Sequence, residues 1–510
     1  MTAYDALQHH IARYNDLINT MNILKWDART QMPTAGAETR GHQLATLNTL
    51  AQSIFVSDQT AHLLDAAEAE IANEAPDSYR VRAVQQTRQY YEIQCRIPAD
   101  LMAHLAAHSP MSEAVWAQAK ADNDFASFKP YLQRMLELQL AMAEAIGYDE
   151  HPFDALVFEY EPSMTAARLR NLFGDLKAGL LPLLERITHE GHAVPVDLWQ
   201  HDYDIATQKQ FSAELAALMG YDFERGRLDV VPHPFEISFT RNDVRITTRY
   251  DEHYLPMSIF GTLHETGHAL YEQNIAPELT RTALTSDFLG QYGVGGASYG
   301  AHEFSSRMWE NQIGRSRDFW ELHFGRLQTL FPQALGATTP EQFYRAVNRV
   351  KASLIRVEAD EVTYNLHIML RTEIEMSLLD GSVTVDDLPE LWRAKMQDYL
   401  GVTPPNDSQG VLQDVHWAGG GFGSFPGYTI GNIMSAQVFA AAHQQSPELS
   451  TQLEQGVYQP LRQWLTEQIY QHGRAYNVDE LLMRVTGEPL QVDPLLRYLE
   501  QKYSDVYQLS

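Results

Sequence analysis

Apolar residues recur at helical spacing along almost the whole chain, and one short stretch breaks that pattern. Spacings of three and four residues predict helices at 1–24, 38–75, 80–147, 164–188 and 205–219, and again at 256–275, 301–328, 340–380 and 386–400. Between 226 and 250, two alternating segments flank Arg241-Asn242-Asp243, which is the pattern of a β-hairpin. The sequence therefore predicts a mainly α protein with one small antiparallel sheet.

The chain is predicted to form a single domain, 1–510. Its parts are an N-terminal helical part (1–220), a small β-sheet (226–250), a segment for the metal and substrate site (256–432) and C-terminal helices (433–510). Helix breaks are predicted near Pro98, Pro110 and Pro130, and a Gly/Pro-rich loop is predicted over 401–432.

Charge and composition exclude several classes of partner. The chain has 66 acidic against 38 basic residues and a formal net charge of −28, so we expect neither a nucleic acid nor an anionic membrane as a partner. The single cysteine, Cys95, cannot form an internal disulfide, and we expect it to be a buried small hydrophobe. The first residues carry no basic stub and no apolar run, so a cytoplasmic protein is expected.

The segment Leu263–Leu270 contains an HExxH pattern, with His264, Glu265 and His268. On a helix, residues four apart share a face, so both imidazoles can reach one cation such as zinc. Glu265 lies beside them and can take the proton of a water that the metal acidifies. The alternative is an amphipathic helix with two ordinary histidines.

A catalytic zinc site needs a third protein ligand, and no histidine follows at the short spacing of the metzincin pattern. A glutamate from a later helix is the expected donor. Glu303 and Glu310 lie seven residues apart and so share a helix face. Spacing does not choose between them, and Glu272 and Glu278 also stay open.

Several short motifs, taken together, resemble the carboxypeptidase Taq family of zinc metallocarboxypeptidases. They run nearly end to end along the chain. In chain order they are Trp26-Asp27, Met32-Pro33, Gly36, Arg40, Tyr160-Glu161-Pro162, His233-Pro234-Phe235, Asp243–Thr247, His264–His268, His302-Glu303, Ile355–Asp360 and Gly410–Trp417.

The resemblance implies a mainly helical homodimer with a deep cleft and a small sheet near the active site. It implies that His264, His268 and Glu303 are the metal ligands and that Glu265 is the general base. The implied metal is zinc, with cobalt as a possible substitute. The implied activity is the removal of single residues from the free C-terminus of peptides.

Other residues of the motifs suit this chemistry. The rigid fork of an arginine is suited to a terminal carboxylate, and Arg356 is the first candidate, with Arg245 second. Each could instead form a structural ion pair with a neighbouring acid. His416 and Tyr428, on the predicted 401–432 loop, are candidate donors to the oxyanion. His233 is expected near the site, where it either binds substrate or orients other groups.

Two departures from the family pattern stand out. Glu303 follows His264 by 39 residues, a longer spacing than usual, and the extra length falls within 280–300. This segment, with Phe288, Tyr292 and Tyr299, is either a loop that shapes substrate subsites or a tolerated surface insertion. Ser424 also stands where the family often has a tyrosine, which bears on the role of Tyr428.

The sequence thus predicts a cytoplasmic zinc carboxypeptidase that acts on peptides. One alternative is a helical HExxH oligopeptidase, which cuts within short peptides. Another is a metal-binding or peptide-binding protein that has lost catalysis. The intact HExxH glutamate argues against the latter, because a purely structural zinc takes a fourth ligand instead of a water.

Overall fold

A computed structural model describes residues 1–195, 197–199, 201–290 and 295–509. The described chain is mainly helical. Its helices are α1 (Ala3–Thr30), α2 (Ala37–Phe55), α3 (Asp58–Ile71), α4 (Tyr79–Arg96), α5 (Ala99–Asp122), α6 (Phe125–Ile146), α7 (Pro152–Phe158), α8 (Ala166–Glu190), α9 (Ile205–Met219), α10 (Leu255–Gln273), α11 (Tyr299–Arg307), α12 (Arg317–Leu330), α13 (Pro332–Leu335), α14 (Pro340–Val347), α15 (Thr363–Leu379), α16 (Leu388–Leu400), α17 (His416–Gly419), α18 (Pro426–Gln445), α19 (Glu448–Glu454), α20 (Gln459–Gln468), α21 (Val478–Thr486) and α22 (Asp493–Tyr507).

The chain divides into two compact units, each built from three segments. Unit 1 comprises Met1–Glu92, Pro195–Val347 and Met434–Leu490, and unit 2 comprises Ile93–Val194, Asn348–Ile433 and Gln491–Ser510. The prediction of a single domain over 1–510 stays a prediction. Among the described residues, no helix has both the length and the apolar character that a membrane span requires.

The sheet of unit 1 has three strands: β1 (Gly226–Val230), β2 (Glu236–Thr240) and β3 (Asp243–Thr248). The predicted hairpin is confirmed, because β2 pairs with β3 in antiparallel fashion. β1 pairs with the other edge of β3 in parallel, so the sheet is mixed and not wholly antiparallel.

The core of unit 1 forms where α10 packs on this sheet. Val244 and Ile246 of β3 pack with Ala269 of α10 in one buried cluster. The hydroxyl groups of Thr248 and Thr262 lie 3.1 Å apart, which adds a polar contact between strand and helix. Nearly all of α10 is buried, so the helix is fixed on several sides.

Some of the predicted helix limits are wrong. The break near Pro98 is found, but α5 continues through Pro110 and α6 through Pro130. An interior proline costs about 3 kcal/mol, and the packing of α5 along α6 outweighs that cost. The predicted helix at 340–380 is interrupted between α14 and α15, where a 3₁₀ turn spans Arg356–Glu358.

Two further predictions need correction. The 401–432 segment is not all loop, because His416 opens α17 and Tyr428 lies in the first turn of α18. Cys95 is exposed near the end of α4 and is not a buried hydrophobe. Helix α4 is strongly polar around it, so the position falls on the solvent face.

Candidate functional site

Helix α10 carries the HExxH segment, as the spacing predicts. Pro256 lies in its first turn, where a missing N–H leaves no intrahelical bond unmade. His264 and His268 stand on one face, with ring centroids 4.9 Å apart. Glu265 lies beside them and is 6 % exposed. Two imidazoles and one carboxyl group are thus presented by a single rigid helix.

Gly267 allows α11 to approach α10 closely. A Cβ atom at this position would lie 2.5 Å from the Cα of Ser306 and 2.7 Å from the carbonyl oxygen of Ser305. The Ser305 hydroxyl donates to the Gly267 carbonyl at 2.6 Å. A side chain at 267 would push α11 away, and Glu303 with it.

Glu303, on α11, reaches the histidine pair. Its Oε2 atom lies 3.6 Å from Nε2 of His264 and 3.3 Å from Nε2 of His268. The three ligand atoms all lie within 4.8 Å of one another. Two imidazole nitrogens and one carboxylate oxygen form the donor set of many catalytic divalent metal sites. These residues therefore fit a metal ion, with Glu303 as the third donor.

Glu310 contacts the other edge of the His264 ring. It lies on a π-helix, Met308–Ile313, which continues directly from α11. Its Oε2 atom accepts from Nδ1 of His264 at 2.9 Å, which leaves Nε2 of that ring for a metal. Carboxylates in this position commonly orient a histidine ligand and fix its tautomer. Glu310 is placed to orient His264 and not to share its metal.

His264, His268 and Glu303 form the candidate metal-binding group. The other two candidate glutamates lie outside it. Glu272 lies 3.0 Å from Nε2 of His302, in an ion pair beside α11. Glu278 lies in a 3₁₀ turn and is exposed. The ring of His302 stacks on that of His268 at 4.4 Å between centroids. Sequence reasoning assigned no role to His302, although the residue precedes Glu303.

Charges around the site favour ionised carboxylates at 303 and 310. Burial opposes the ionisation of Glu303, but Arg307 and His264 outweigh it and hold its pKa well below the usual range. Burial likewise opposes ionisation of Glu310, whereas His264, Arg307 and Arg315 lower its pKa to about 2. Arg307 donates to Oε1 of Glu303 at 2.6 Å, which leaves Oε2 toward the histidines. The two arginines are further residues that sequence reasoning missed.

Burial shifts the pKa values of Glu265 and His268 in opposite directions. Burial, partly offset by His264, raises the pKa of Glu265 to about 7. A carboxyl group near neutrality can both accept and return a proton at physiological pH. Burial lowers the pKa of His268 to about 3, so its imidazole is neutral at pH 7 and able to bind a metal.

His233 and Arg245 lie at the sheet of unit 1. His233 is exposed in a bend before β2 and so is not a strand residue. Arg245, on β3, donates from Nε and Nη2 to Asp243 at 2.9 and 3.0 Å. Its guanidinium also lies 4.3 Å from the ring centroid of Trp26. The structural ion pair weighed for Arg245 is therefore present.

Arg356 lies in a buried cluster of unit 2. Its Nε and Nη2 atoms donate to Oδ1 of Asp414 at 3.0 and 2.8 Å, and Nη1 donates to the hydroxyl of Tyr364 at 3.0 Å. A guanidinium has five N–H donors. Three are engaged with these described residues, so two are left for a ligand. The structural ion pair weighed for Arg356 is therefore present, with Asp414 as its partner in place of Glu358 or Asp360.

His416 and Tyr428 meet in the same unit. Nε2 of His416 lies 3.3 Å from the hydroxyl of Tyr428. Burial and the cationic Arg356 lower the pKa of His416 to about 4, so the ring is neutral at pH 7. The Arg356 guanidinium lies 5.2 Å from the ring centroid of Tyr428. The structure thus brings Arg356, His416 and Tyr428 together.

The described part of the 280–300 segment is largely buried, so it is not a surface insertion, whereas the loop that shapes substrate subsites stays a prediction. Phe288 is fully buried and packs against Tyr14 and Phe55, with ring centroids at 5.4 and 4.6 Å. Tyr299 is the first residue of α11. Tyr292 lies outside the described residues. The segment contributes to the core of unit 1, which aromatic content alone could not distinguish from a substrate loop.

Comparison with known proteins identifies the family. The model of the carboxypeptidase Taq (M32) metallopeptidase family matches residues 6–503. Thermostable carboxypeptidase 1 of Thermus thermophilus is 42% identical over 495 residues, which are 95% of each chain. Carboxypeptidase 1 of Bacillus subtilis is 39% identical over 506 residues, covering 99% of this chain and 98% of the relative.

Solved structures agree with the sequence comparison. The crystal structure of the M32 carboxypeptidase from Deinococcus radiodurans R1 superposes with a TM-score of 0.94 at 38% identity, covering 99% of both chains. The Pyrococcus furiosus carboxypeptidase structure superposes with a TM-score of 0.93 at 32% identity, again over 99% of both chains. The chain therefore belongs to the carboxypeptidase Taq (M32) family of metallopeptidases and is a metallocarboxypeptidase.

Proposed function

We propose that the protein is a zinc-dependent carboxypeptidase that removes single residues from the C-terminus of peptides, with Glu265 as general base. One observation carries the proposal. The ligand atoms of His264, His268 and Glu303 lie within 4.8 Å of one another, and the buried Glu265 lies on α10 beside the two histidines. Three buried glutamates lie at this point among the described residues, together with two arginines. The glutamates are Glu265, Glu303 and Glu310, and the arginines are Arg307 and Arg315.

His264, His268 and Glu303 would hold the metal. Bound there, zinc (or cobalt as a substitute) would polarise the scissile carbonyl group and acidify a water molecule. Glu265 takes the proton from that attacking water, and its pKa of about 7 suits this role. The same carboxyl group then passes the proton to the departing amino group. Glu310 keeps His264 in the tautomer whose Nε2 lone pair is available.

Recognition of the substrate is assigned to arginine. Arg356 retains two N–H donors, and bidentate pairing with the terminal carboxylate would use both. Arg245 is the second candidate, although Asp243 already engages one edge of its fork. His233, which is exposed, is proposed as a further substrate contact.

The neutral His416 and the Tyr428 hydroxyl are proposed to stabilise the oxyanion of the tetrahedral intermediate. A neutral imidazole can donate one N–H, and Tyr428 lies within 3.3 Å of that ring. Ser424 donates to the Gly421 carbonyl at 2.6 Å, so its hydroxyl holds the loop instead of replacing a tyrosine phenol. Tyr428 is thus the phenol that we propose at this position.

Peptides with free and amidated C-termini test the reaction. The enzyme is incubated with both forms, with and without a chelator, and the products are read by mass spectrometry. We expect stepwise loss of single residues from the free peptide, none from the amide, and recovery of activity when zinc is added back. Equal cleavage of the amide would identify an oligopeptidase instead. Full zinc occupancy without release of amino acids would identify a binding protein.

The remaining proposals concern assembly and place in the cell. We propose a cytoplasmic homodimer that acts on peptides, with neither nucleic acid nor membrane as a partner. The charge of −28 supports the exclusion of anionic partners. Analytical ultracentrifugation at several concentrations, together with cell fractionation, tests these points. A monomer at all concentrations would contradict the dimer.

A further inference from the structure

Arg371 is a fully buried arginine in the middle of α15, and neither the motifs nor the proposed mechanism uses it. Its Nη1 donates to the carbonyl oxygen of His367 at 2.7 Å, one turn back on the same helix. Because no part of Arg371 is exposed, its guanidinium cannot bind a substrate directly. Burying such a cation is unfavourable unless its partners are well placed.

Those partners are two consecutive residues, Gln413 and Asp414. Nε of Arg371 donates to Oδ2 of Asp414 at 2.7 Å, and Nη2 donates to Oε1 of Gln413 at 2.6 Å. Both residues also accept hydrogen bonds from Arg356. Oδ1 of Asp414 receives the Arg356 guanidinium, and Oε1 of Gln413 receives the Arg356 backbone N–H at 3.1 Å. Arg371 is therefore linked to both the side chain and the main chain of Arg356.

The division of oxygens on Asp414 makes the arrangement specific. Arg356 uses Oδ1 with two of its nitrogens, and Arg371 uses Oδ2. If Arg371 released Oδ2, the carboxylate could rotate and Arg356 could pair with both oxygens. That pairing would change the direction of the two N–H donors that remain. A lysine in place of Arg371 has a single ammonium group and lacks the fixed fork that spans both acceptors.

The charges of the cluster around Asp414 also favour an anionic ligand. Two guanidinium groups face one aspartate, and the nearby imidazoles are neutral because burial lowers the pKa of His367 and of His416. Glu375, one turn after Arg371, has a pKa raised to about 8 by burial and is mostly uncharged at pH 7. Lys120 is a third cation here, since its Nζ donates to the Gln413 carbonyl oxygen at 2.8 Å. Among the described residues, the cluster therefore holds more cationic than anionic groups, which suits a carboxylate ligand.

We propose that Arg371 is a positioning residue that sets the orientation of Arg356 toward the terminal carboxylate of the substrate, acting through Asp414 and Gln413. The inference rests on the proposed function, because it takes Arg356 as the residue that binds the carboxylate. It adds a determinant of substrate affinity that lies away from the substrate itself.

The test compares Arg371→Lys with Arg393→Lys. Arg393 is a matched control, since it belongs to unit 2, pairs with Asp407 and makes no hydrogen bond or ion pair with Arg356 in the part of the chain that the structure describes. The substrate is an N-terminally blocked dipeptide with a free carboxylate. The second probe is a peptide ending in a D-residue, used as a competitive inhibitor in its acid and amide forms. Zinc content and circular dichroism are recorded for every variant.

We expect Arg371→Lys to raise KM about tenfold, with kcat within about threefold of wild type, as loss of one charge-assisted hydrogen bond predicts. The preference for the acid inhibitor over the amide should shrink by the same factor. General damage to the fold would weaken both inhibitors equally and leave that preference intact. Arg393→Lys should leave KM, kcat and the preference within about twofold.

An unchanged KM and an unchanged acid-to-amide preference in folded, zinc-loaded Arg371→Lys would overturn the inference. If Arg371→Lys does not fold, Gln413→Met is tested in its place. This change removes the Oε1 atom that accepts from the Arg356 backbone N–H and from Arg371, so it should also raise KM. A wild-type enzyme that binds acid and amide equally would refute the proposed function instead, so the two failures are distinguishable.

Discussion

The metal-binding group of unit 1 and the arginine cluster of unit 2 are both buried and polar, but they differ in the charged groups that they offer. Around His264 and His268, the carboxyl groups of Glu265, Glu303 and Glu310 lie together with the guanidinium groups of Arg307 and Arg315. Around Asp414, two guanidinium groups share one carboxylate. The first region therefore offers imidazole and carboxylate donors that suit a cation, and the second offers guanidinium donors that suit an anion. A carboxypeptidase needs both, a metal for the chemistry and a site for the terminal carboxylate.

The largest expected effect separates chemistry from metal binding in unit 1. Glu265→Gln should lower kcat by about 10³-fold, since general base catalysis contributes roughly 10²–10⁴-fold. The side chain keeps its shape and is not among the proposed ligands, so zinc content should stay at the wild-type level. Turnover is measured on a blocked dipeptide and zinc by atomic absorption. Near-normal turnover would remove Glu265 from its role as base.

The next effect concerns recognition in unit 2. Arg356→Lys keeps the positive charge but loses the bidentate fork, so kcat/KM for a free-carboxylate peptide should fall about 10²-fold. Zinc affinity should not change, because Arg356 belongs to the other unit. Arg134→Lys is the control, since that exposed arginine pairs only with Glu137 among the described residues. A loss of zinc in Arg356→Lys would contradict the separation of the two roles.

A smaller effect is expected at the outer edge of the metal-binding group. Glu310→Gln should lower zinc affinity by about 10–100-fold, the usual range for a carboxylate that orients a histidine ligand. At saturating zinc, kcat should return to within a few-fold of wild type. Competition with a chromogenic chelator measures the affinity. Wild-type affinity in this variant would show that His264 needs no orientation by Glu310.

A last effect concerns stability instead of activity or zinc affinity, and it is a pH dependence in unit 2. Burial raises the pKa of Glu375 to about 8, so the folded state holds its proton more tightly than the unfolded state does. Its contribution to stability is complete below the unfolded pKa of 4.5 and is lost as pH rises through 8. Relative to Glu375→Gln, the wild type should lose up to about 1.4 kcal/mol per pH unit across this window. Urea unfolding of both proteins from pH 5 to 8 measures the difference, and parallel profiles would contradict it.

The two regions also differ in how far the sequence predicts them. The proximity of His264 and His268 was predictable because four-residue spacing on a helix places both rings on one face. Glu303 was selected over Glu310 by resemblance to the family. Helical spacing alone did not choose between them, and it does not describe the position of Glu310, because this residue lies on a π-helix. Local departures from regular structure are expected at functional sites. Here Glu310 lies on a π-helix and Arg356 lies in a 3₁₀ turn.

Arg371 had no sequence signal of its own. It is one polar residue in a long, almost fully buried helix, and its partners lie about forty positions further along the chain. The core position of Phe288 was not predicted for a related reason, because an aromatic residue in a Gly-rich stretch is compatible with both a core and a loop. The hairpin was local and so was predictable, whereas the parallel strand β1 was not.

The most direct test of the account is the amount of zinc bound per chain by three proteins in equilibrium dialysis. They are the wild type, Glu303→Gln and Glu278→Gln, the last being an exposed glutamate outside the metal-binding group. The account predicts one tightly bound zinc for the wild type and for Glu278→Gln, and none at the same free zinc concentration for Glu303→Gln. One zinc bound by Glu303→Gln with wild-type affinity would contradict it.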